Sequence, residues 1–124
     1  MFRKSIYQKN SFCKLIYSKL NENDSICKDP ASYISFKIIS NQEIRIESLG
    51  VKKEFRRNNL GEFMIQNVIK LSNLWKIKFI TLHVMIKNQP AQKLYSKNGF
   101  KTLKWISKYY NQETDALMMI FKNE

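Results

Sequence analysis

Six consecutive residues, Arg56-Arg57-Asn58-Asn59-Leu60-Gly61, place two guanidinium groups and a glycine at the start of an apolar helical pattern. A strand-to-helix junction exposes unpaired backbone N–H groups and the positive end of the helix dipole, so it suits an anion, a phosphate above all. Arginine strengthens that preference because its planar fork matches phosphate oxygens. Gly61 gives a ligand room to approach the backbone, and Asn59 is among the few non-glycine residues that accept a positive φ at modest cost. Further along, His83 is the single histidine of the chain. A neutral imidazole is suited to taking a proton near pH 7. Neither feature specifies a reaction alone: a basic helix start also occurs on solvated surfaces, and a lone strand histidine is often a packed core residue.

The elements that would position these residues follow from periodicity. Phe12, Ile16 and Leu20 lie four apart and suggest a short helix over residues 9–20, followed by a polar loop that closes at Pro30. Tyr33 to Ser40 and Glu43 to Val51 are β-rich runs joined at Asn41-Gln42, a length that suits a tight hairpin. Leu60, Met64, Val68, Leu71 and Trp75 mark one face of a long helix, widened by Phe63, Ile65 and Ile69. Lys78 to Ile86 alternates as a central strand would, with His83 opposite the Ile80, Leu82, Val84 face. Asn88 is a good N-cap for a helix from Gln89 to Asn98, and Gly99 can supply its left-handed stop. Phe100 to Tyr110 and Asp115 to Lys122 read as two closing strands. The order predicts an α/β or α+β fold, one sheet with helices packed on it, in a single domain spanning residues 1–124.

Composition sets the outer bounds. Apolar residues make up 44% and aromatics 13% of the 124 residues, a globular content that a disordered tail does not carry. No apolar run approaches the roughly 20 residues that span a bilayer, and the first ten residues lack the core of a secretory signal. The cytoplasm is the expected compartment, with the nucleus open as a second, and no membrane partner is expected. Cys13 and Cys27 are too few for a zinc site or a disulfide framework, so no metal is expected. The net charge of +12, from 22 basic against 10 acidic residues, attracts polyanions without naming one. A charge spread over solvated faces accounts for it equally well.

Arg56-x-x-Asn59-Leu60-Gly61 opening a helix, then a strand, then Asn88-x-x-Ala91-x-x-Leu94-Tyr95-x-Lys97-x-Gly99-Phe100, resembles the cofactor-binding core of the GNAT N-acetyltransferases. More narrowly, the blocks Leu49–Gly61, Leu82–Phe100 and Ser107–Met119 resemble N-terminal acetyltransferases of the NatE type. The resemblance implies a mixed, mostly antiparallel sheet splayed at a cofactor site and flanked by helices. It implies acetyl-coenzyme A as cosubstrate, its pantetheine along Leu49, Gly50 and Val51 and its pyrophosphate against Arg56, Arg57, Asn58, Asn59, Leu60 and Gly61, with Asn88 and Tyr95 completing the site. Tyr95 would then protonate the departing thiolate, and His83 would hold a water that takes the proton of the acceptor amine. Tyr109 and Tyr110 would bind the first residues of a protein N-terminus beginning with Met, with Phe2 and Tyr7 as the opposite wall.

Three departures from that pattern stand out. Asn59 replaces a loop glycine. Arg45 replaces the tyrosine that partners the histidine, and it cannot act as a base. Glu47, by strand alternation on the face of Arg45 and Glu43, is a candidate replacement base, since other GNAT enzymes use a glutamate on the corresponding strand; an ion pair with Arg45 is the alternative reading. The third is a shortened N-terminal part, lacking a strand and part of a helix. Two functions follow as expectations: acetyl transfer to a protein α-amino group by direct attack, or a degenerate GNAT-fold subunit that binds RNA, the ribosome or a partner acetyltransferase.

Overall fold

Asn41 and Gln42 turn the chain back between two strands, β2 (Ser32–Ser40) and β3 (Glu43–Val51), as their position between two β-rich runs predicts. The computed structural model describes residues 11–16, 31–56, 59–110 and 114–124. Besides β2 and β3 it contains strands β1 (Ser11–Ile16), β4 (Phe79–Met85), β5 (Lys101–Tyr110) and β6 (Thr114–Lys122), and helices α1 (Leu60–Leu74) and α2 (Gln89–Lys97). A short 3-10 turn, Lys53–Phe55, leads from β3 towards α1.

The strands form one six-stranded sheet in the order β1-β2-β3-β4-β6-β5. Every neighbour pair is antiparallel except β3 and β4, which run parallel. That single parallel pair is required by the connection, because α1 carries the chain from the end of β3 back to the start of β4. The sheet with its two helices is the mixed α/β architecture that the sequence predicts.

Alternation sorts the side chains of the sheet into two faces. Ile34 and Phe36 of β2, Ile44 and Ile46 of β3, Ile80, Leu82 and Val84 of β4, and Leu117 and Met119 of β6 meet Met64, Ile65 and Val68 of α1 and Tyr95 of α2 in one buried core. Both helices therefore cover the same face. Asn98 ties them together by donating to Glu62 Oε2 at 3.3 Å, and Lys97 pairs with the same oxygen at 3.3 Å. The buried stripe of α1 is centred on Met64, Ile65, Val68 and Ser72, narrower than the predicted one. Phe63 and Trp75 lie at its margin, 53% and 41% exposed.

The predicted helix over residues 9–20 is corrected: Ser11–Ile16 is an edge strand paired to β2 from Ser11–Lys37 to Ile16–Ser32. Leu20 lies outside the described residues. A helix of that length is marginal in water, whereas β2 offers an unpaired edge with an aromatic to pack on. Phe12 stacks on Phe36 with ring centroids 5.4 Å apart and reaches Trp75 at 5.8 Å. The same strand corrects the expected loss of an N-terminal strand.

Candidate active site

Parallel pairing between β3 and β4 begins at Glu43–Phe79 and stops at Ile46–Leu82. Two features open the strands beyond that point. β3 carries a register shift opposite Ser35 and Phe36 that leaves Glu47 without a partner on β2, and such a bulge bends its strand and increases the local twist. β4 meanwhile stays paired to β6 as far as Met85–Ala116. The splay encloses a cavity of about 480 Å³ with β3 on one wall, β4 on the other and α2 across its helix side.

Nine predicted site residues line this one cavity: Glu47, Leu49, Gly50, Val51, Arg56, Gly61, His83, Asn88 and Tyr95. Asn59 and Leu60 lie instead beside an adjoining depression that shares Val51, Arg56 and Gly61 with it. Arg57, Asn58, Phe2 and Tyr7 lie outside the described residues. The backbone of Tyr109 and Tyr110 ends β5, with Tyr110 opposite Thr114, while their side chains lie outside the description. Among the pocket walls that sequence reasoning left unassigned are Pro90, Ala91 and Leu94 of α2, whose spacing after Asn88 was the available signal.

At the start of α1, Asn59 takes the positive φ that its residue type tolerates. Asn59 precedes α1 at φ 59° and ψ 23°, in the left-handed region, and its side chain makes no capping bond. A Cβ on Gly61 would come within 3.1 Å of Leu94 Cδ2, so glycine keeps α1 and α2 close together there. Arg56 donates from Nε to the Val51 carbonyl at 3.2 Å, which anchors its guanidinium near the end of β3. Asn88 accepts from the Ala91 N–H at 3.2 Å and caps α2 as expected. Its amide NH₂ is the group left to meet a ligand.

His83 and Tyr95 bound the cavity from different sides. Tyr95 is 8% exposed, belongs to the helix-side core and packs against Phe100 with centroids 5.7 Å apart. His83, half-buried, alternates with Leu82 and Val84 and so belongs to the opposite face. Burial holds the His83 pKa below the ordinary histidine value, and the nearby charges of Arg45 and Lys104 push it the same way against the smaller opposing influence of Glu43. Burial and both cations thus favour the neutral imidazole over the charged one.

Arg45 sits at the closed end of the splay in a three-way network. Its Nη2 meets Glu43 Oε2 at 3.1 Å, its Nε donates to Thr81 Oγ1 at 3.3 Å, and Thr81 donates to the same Glu43 oxygen at 2.6 Å. The predicted alignment of Glu47 with Arg45 is corrected by the bulge. Ser48 pairs with Ser35 and bonds it through Oγ at 2.7 Å, while Arg45 pairs with Lys37. The register thus puts Ser48 on the face of Arg45 and leaves Glu47 as the extra residue, exposed at the cavity mouth.

Residues 5–100 match the Acetyltransferase (GNAT) family. An N-alpha-acetyltransferase of Sulfurisphaera tokodaii is 32% identical over 75 residues, 60% of this chain and 45% of that protein. A putative ribosomal protein bS18-alanine N-acetyltransferase of Bacillus subtilis is 31% identical over 78 residues, 62% of this chain and 52% of that protein. The chain thus spans about half the length of the curated relatives it matches. Among solved structures, Arabidopsis thaliana NAA60 in complex with a bisubstrate analogue superimposes with a TM-score of 0.85 at 17% identity, over 98% of this chain and 80% of that one. The ribosomal-protein-S18-alanine N-acetyltransferase from Escherichia coli gives 0.78 at 19% identity, over 97% and 74%. The family match over most of the sequence and the splayed sheet agree: this chain belongs to the GNAT acetyltransferase family.

Proposed function

We propose that the chain is an acetyl-coenzyme A-dependent N-acetyltransferase whose acceptor is the α-amino group of a protein N-terminus, with Met as its expected first residue. The observation that carries this reading is the β3–β4 splay, whose cavity brings Arg56 and Gly61 together with a half-buried histidine and a buried tyrosine. Relatives named N-alpha-acetyltransferase support the choice of acceptor.

The residues fit the cosubstrate. Beyond Ile46 the edge of β3 that faces β4 has no ladder partner there, so it can pair with an extended, amide-bearing arm as a strand would. Leu49, Gly50 and Val51 line the cavity along that edge, and Arg56 with the start of α1 suits its phosphates. When bound, acetyl-coenzyme A supplies an activated thioester. His83 takes the proton of the acceptor amine, directly or through a water, which leaves a neutral nucleophile. Tyr95 holds a proton on the opposite wall of the splay, for a thiolate to accept. Glu47 at the mouth is the second candidate base.

Calorimetry with acetyl-coenzyme A, alongside turnover of a Met-starting peptide, tests the reading. Arg56→Ala should weaken binding about tenfold, the worth of a charge-assisted hydrogen bond. Tyr95→Phe should lower kcat with little change in binding, and Glu47→Gln with unchanged turnover would remove Glu47 from the mechanism. Binding without turnover on any amine would instead favour a degenerate scaffold that docks on RNA, the ribosome or a partner acetyltransferase. The Arg45 network, at the position where the resembled group has a tyrosine, is the feature that keeps this second reading in view.

A further inference from the structure

α1, α2 and the Tyr95 wall occupy one face of the splay, so an acceptor must approach His83 from the other. Strand register determines what that other face presents. Lys37 pairs with Arg45, Arg45 with Thr81, Thr81 with Ile120 and Ile120 with Lys101, and directly paired residues share a face. A second row begins at His83, which pairs with Met118, which in turn pairs with Lys104. Lys122 joins the same face through its pairing with Phe79. His83 therefore lies between Arg45 and Lys37 on the β2 side and Lys101 and Lys104 on the β5 side. Among the described residues, the acids near this face are Glu43, already bonded to Arg45 and Thr81, and Glu47 at the mouth of the splay.

We propose that this cationic face selects acceptors whose reactive amino terminus is followed, within the first few residues, by acidic side chains. The inference rests on the α-amino reading above and adds the substrate class to it. Scale supports it: neighbouring strands lie about 4.8 Å apart, and an extended peptide advances about 3.3 Å per residue. Carboxylates at the second to fourth positions of a peptide lying across the sheet thus come within reach of Lys104 on one side or Arg45 and Lys37 on the other. Arg45 has five N–H donors, and Glu43 and Thr81 account for two of the contacts. Arg45 and Lys104 both lie near enough to His83 for their charges to lower its pKa.

The test uses the full chain and three peptides identical except at positions two and three, beginning Met-Asp-Glu, Met-Asn-Gln and Met-Lys-Lys, plus an Nα-blocked peptide with an internal lysine. Exposed charge pairs act weakly one by one, so the combined preference for the acidic over the neutral peptide should be about tenfold in kcat/KM. It should shrink at high salt. Lys37→Gln and Lys104→Gln should each reduce the ratio to about threefold, while Lys93→Gln, exposed on α2 and away from this face, should leave it unchanged. Equal rates on the three free N-termini, or a preference that survives the Lys37→Gln/Lys104→Gln double variant, would overturn the proposal while leaving α-amino acetylation standing. Turnover of the blocked peptide alone would overturn the α-amino reading and the proposal with it.

Discussion

Asn59 gives the most direct test of how the anion junction is built. It holds φ 59° and ψ 23° just before α1 and makes no side-chain capping bond, so substitution changes backbone preference and removes no such contact. A residue with a Cβ gives up roughly 1–2 kcal/mol in this region, asparagine less because its short polar side chain is tolerated there. Glycine avoids the strain but gains unfolded-state freedom worth about 0.5–1 kcal/mol. The net expectation is that Asn59→Gly is more stable than Asn59→Ala by about 0.5–1 kcal/mol, with the natural residue between them or level with glycine. For 124 residues, an unfolding entropy of about 2.1 cal/mol/K per residue amounts to roughly 0.26 kcal/mol/K, so the two variants should differ by about 2–4 °C in Tm. Scanning calorimetry on the three proteins reads the difference. Titration with acetyl-coenzyme A should rank the same way, because a strained loop presents its N–H groups less well. An alanine variant as stable as the glycine variant would refute the account of this position.

Three further outcomes are expected. Removing Arg45 as Arg45→Met takes away a cation that lowers the His83 pKa and frees Glu43, which raises it, so the acid limb of the kcat/KM profile should move to higher pH; a shift downward or none would count against His83 as the base. A Cβ on Gly50 would run into the Tyr33 ring, within 2.7 Å of its Oη, so Gly50→Ala should cost about 1–3 kcal/mol in urea unfolding. A double-variant cycle with Tyr33→Ser should show strong coupling, and simple additivity would refute the clash. Asp115 accepts from the Lys108 N–H at 2.8 Å and the Trp105 indole at 2.9 Å, which together hold its carboxyl below the ordinary range. Its contribution is present above the unfolded value near 3.9 and lost as pH falls through the folded one, so the Tm gap between the wild type and Asp115→Asn should be full near neutrality and close on acidification.

Legibility in the sequence followed the range of the interactions. The β2–β3 hairpin, the Asn88 cap and the left-handed stop at Gly99, φ 96°, are set by neighbours a few residues apart, and each appears where local chemistry puts it. Residues 9–20 misled because Phe12 and Ile16 have helical spacing, while the partner that makes Ser11–Ile16 a strand is some twenty residues further on. The bulge at Glu47 was invisible for a related reason: strict period-two reasoning cannot see an extra residue. It displaced the one face assignment on which the choice of a replacement base depended. The rows of cations around His83 exist only through strand register across five strands, so composition could report the charge and not its arrangement.

Arg45 is then better understood through what a fixed charge does than through what it fails to do. A guanidinium cannot pass on a proton, and in that respect it is a loss where the resembled group has a tyrosine. Yet the network with Glu43 and Thr81 holds it still at the closed end of the splay, where its field disfavours a proton on His83 and on an incoming amine alike. A base with a lowered pKa is intrinsically weaker but more fully present in its receptive form at neutral pH, and an amine that sheds its proton is already the nucleophile that direct attack needs. The same field attracts a carboxylate carried by the acceptor. The two roles separate experimentally. Arg45→Lys keeps the charge and gives up the planar fork, so it should retain most of the preference for acidic peptides and the low acid limb of wild type, while Arg45→Met should lose both.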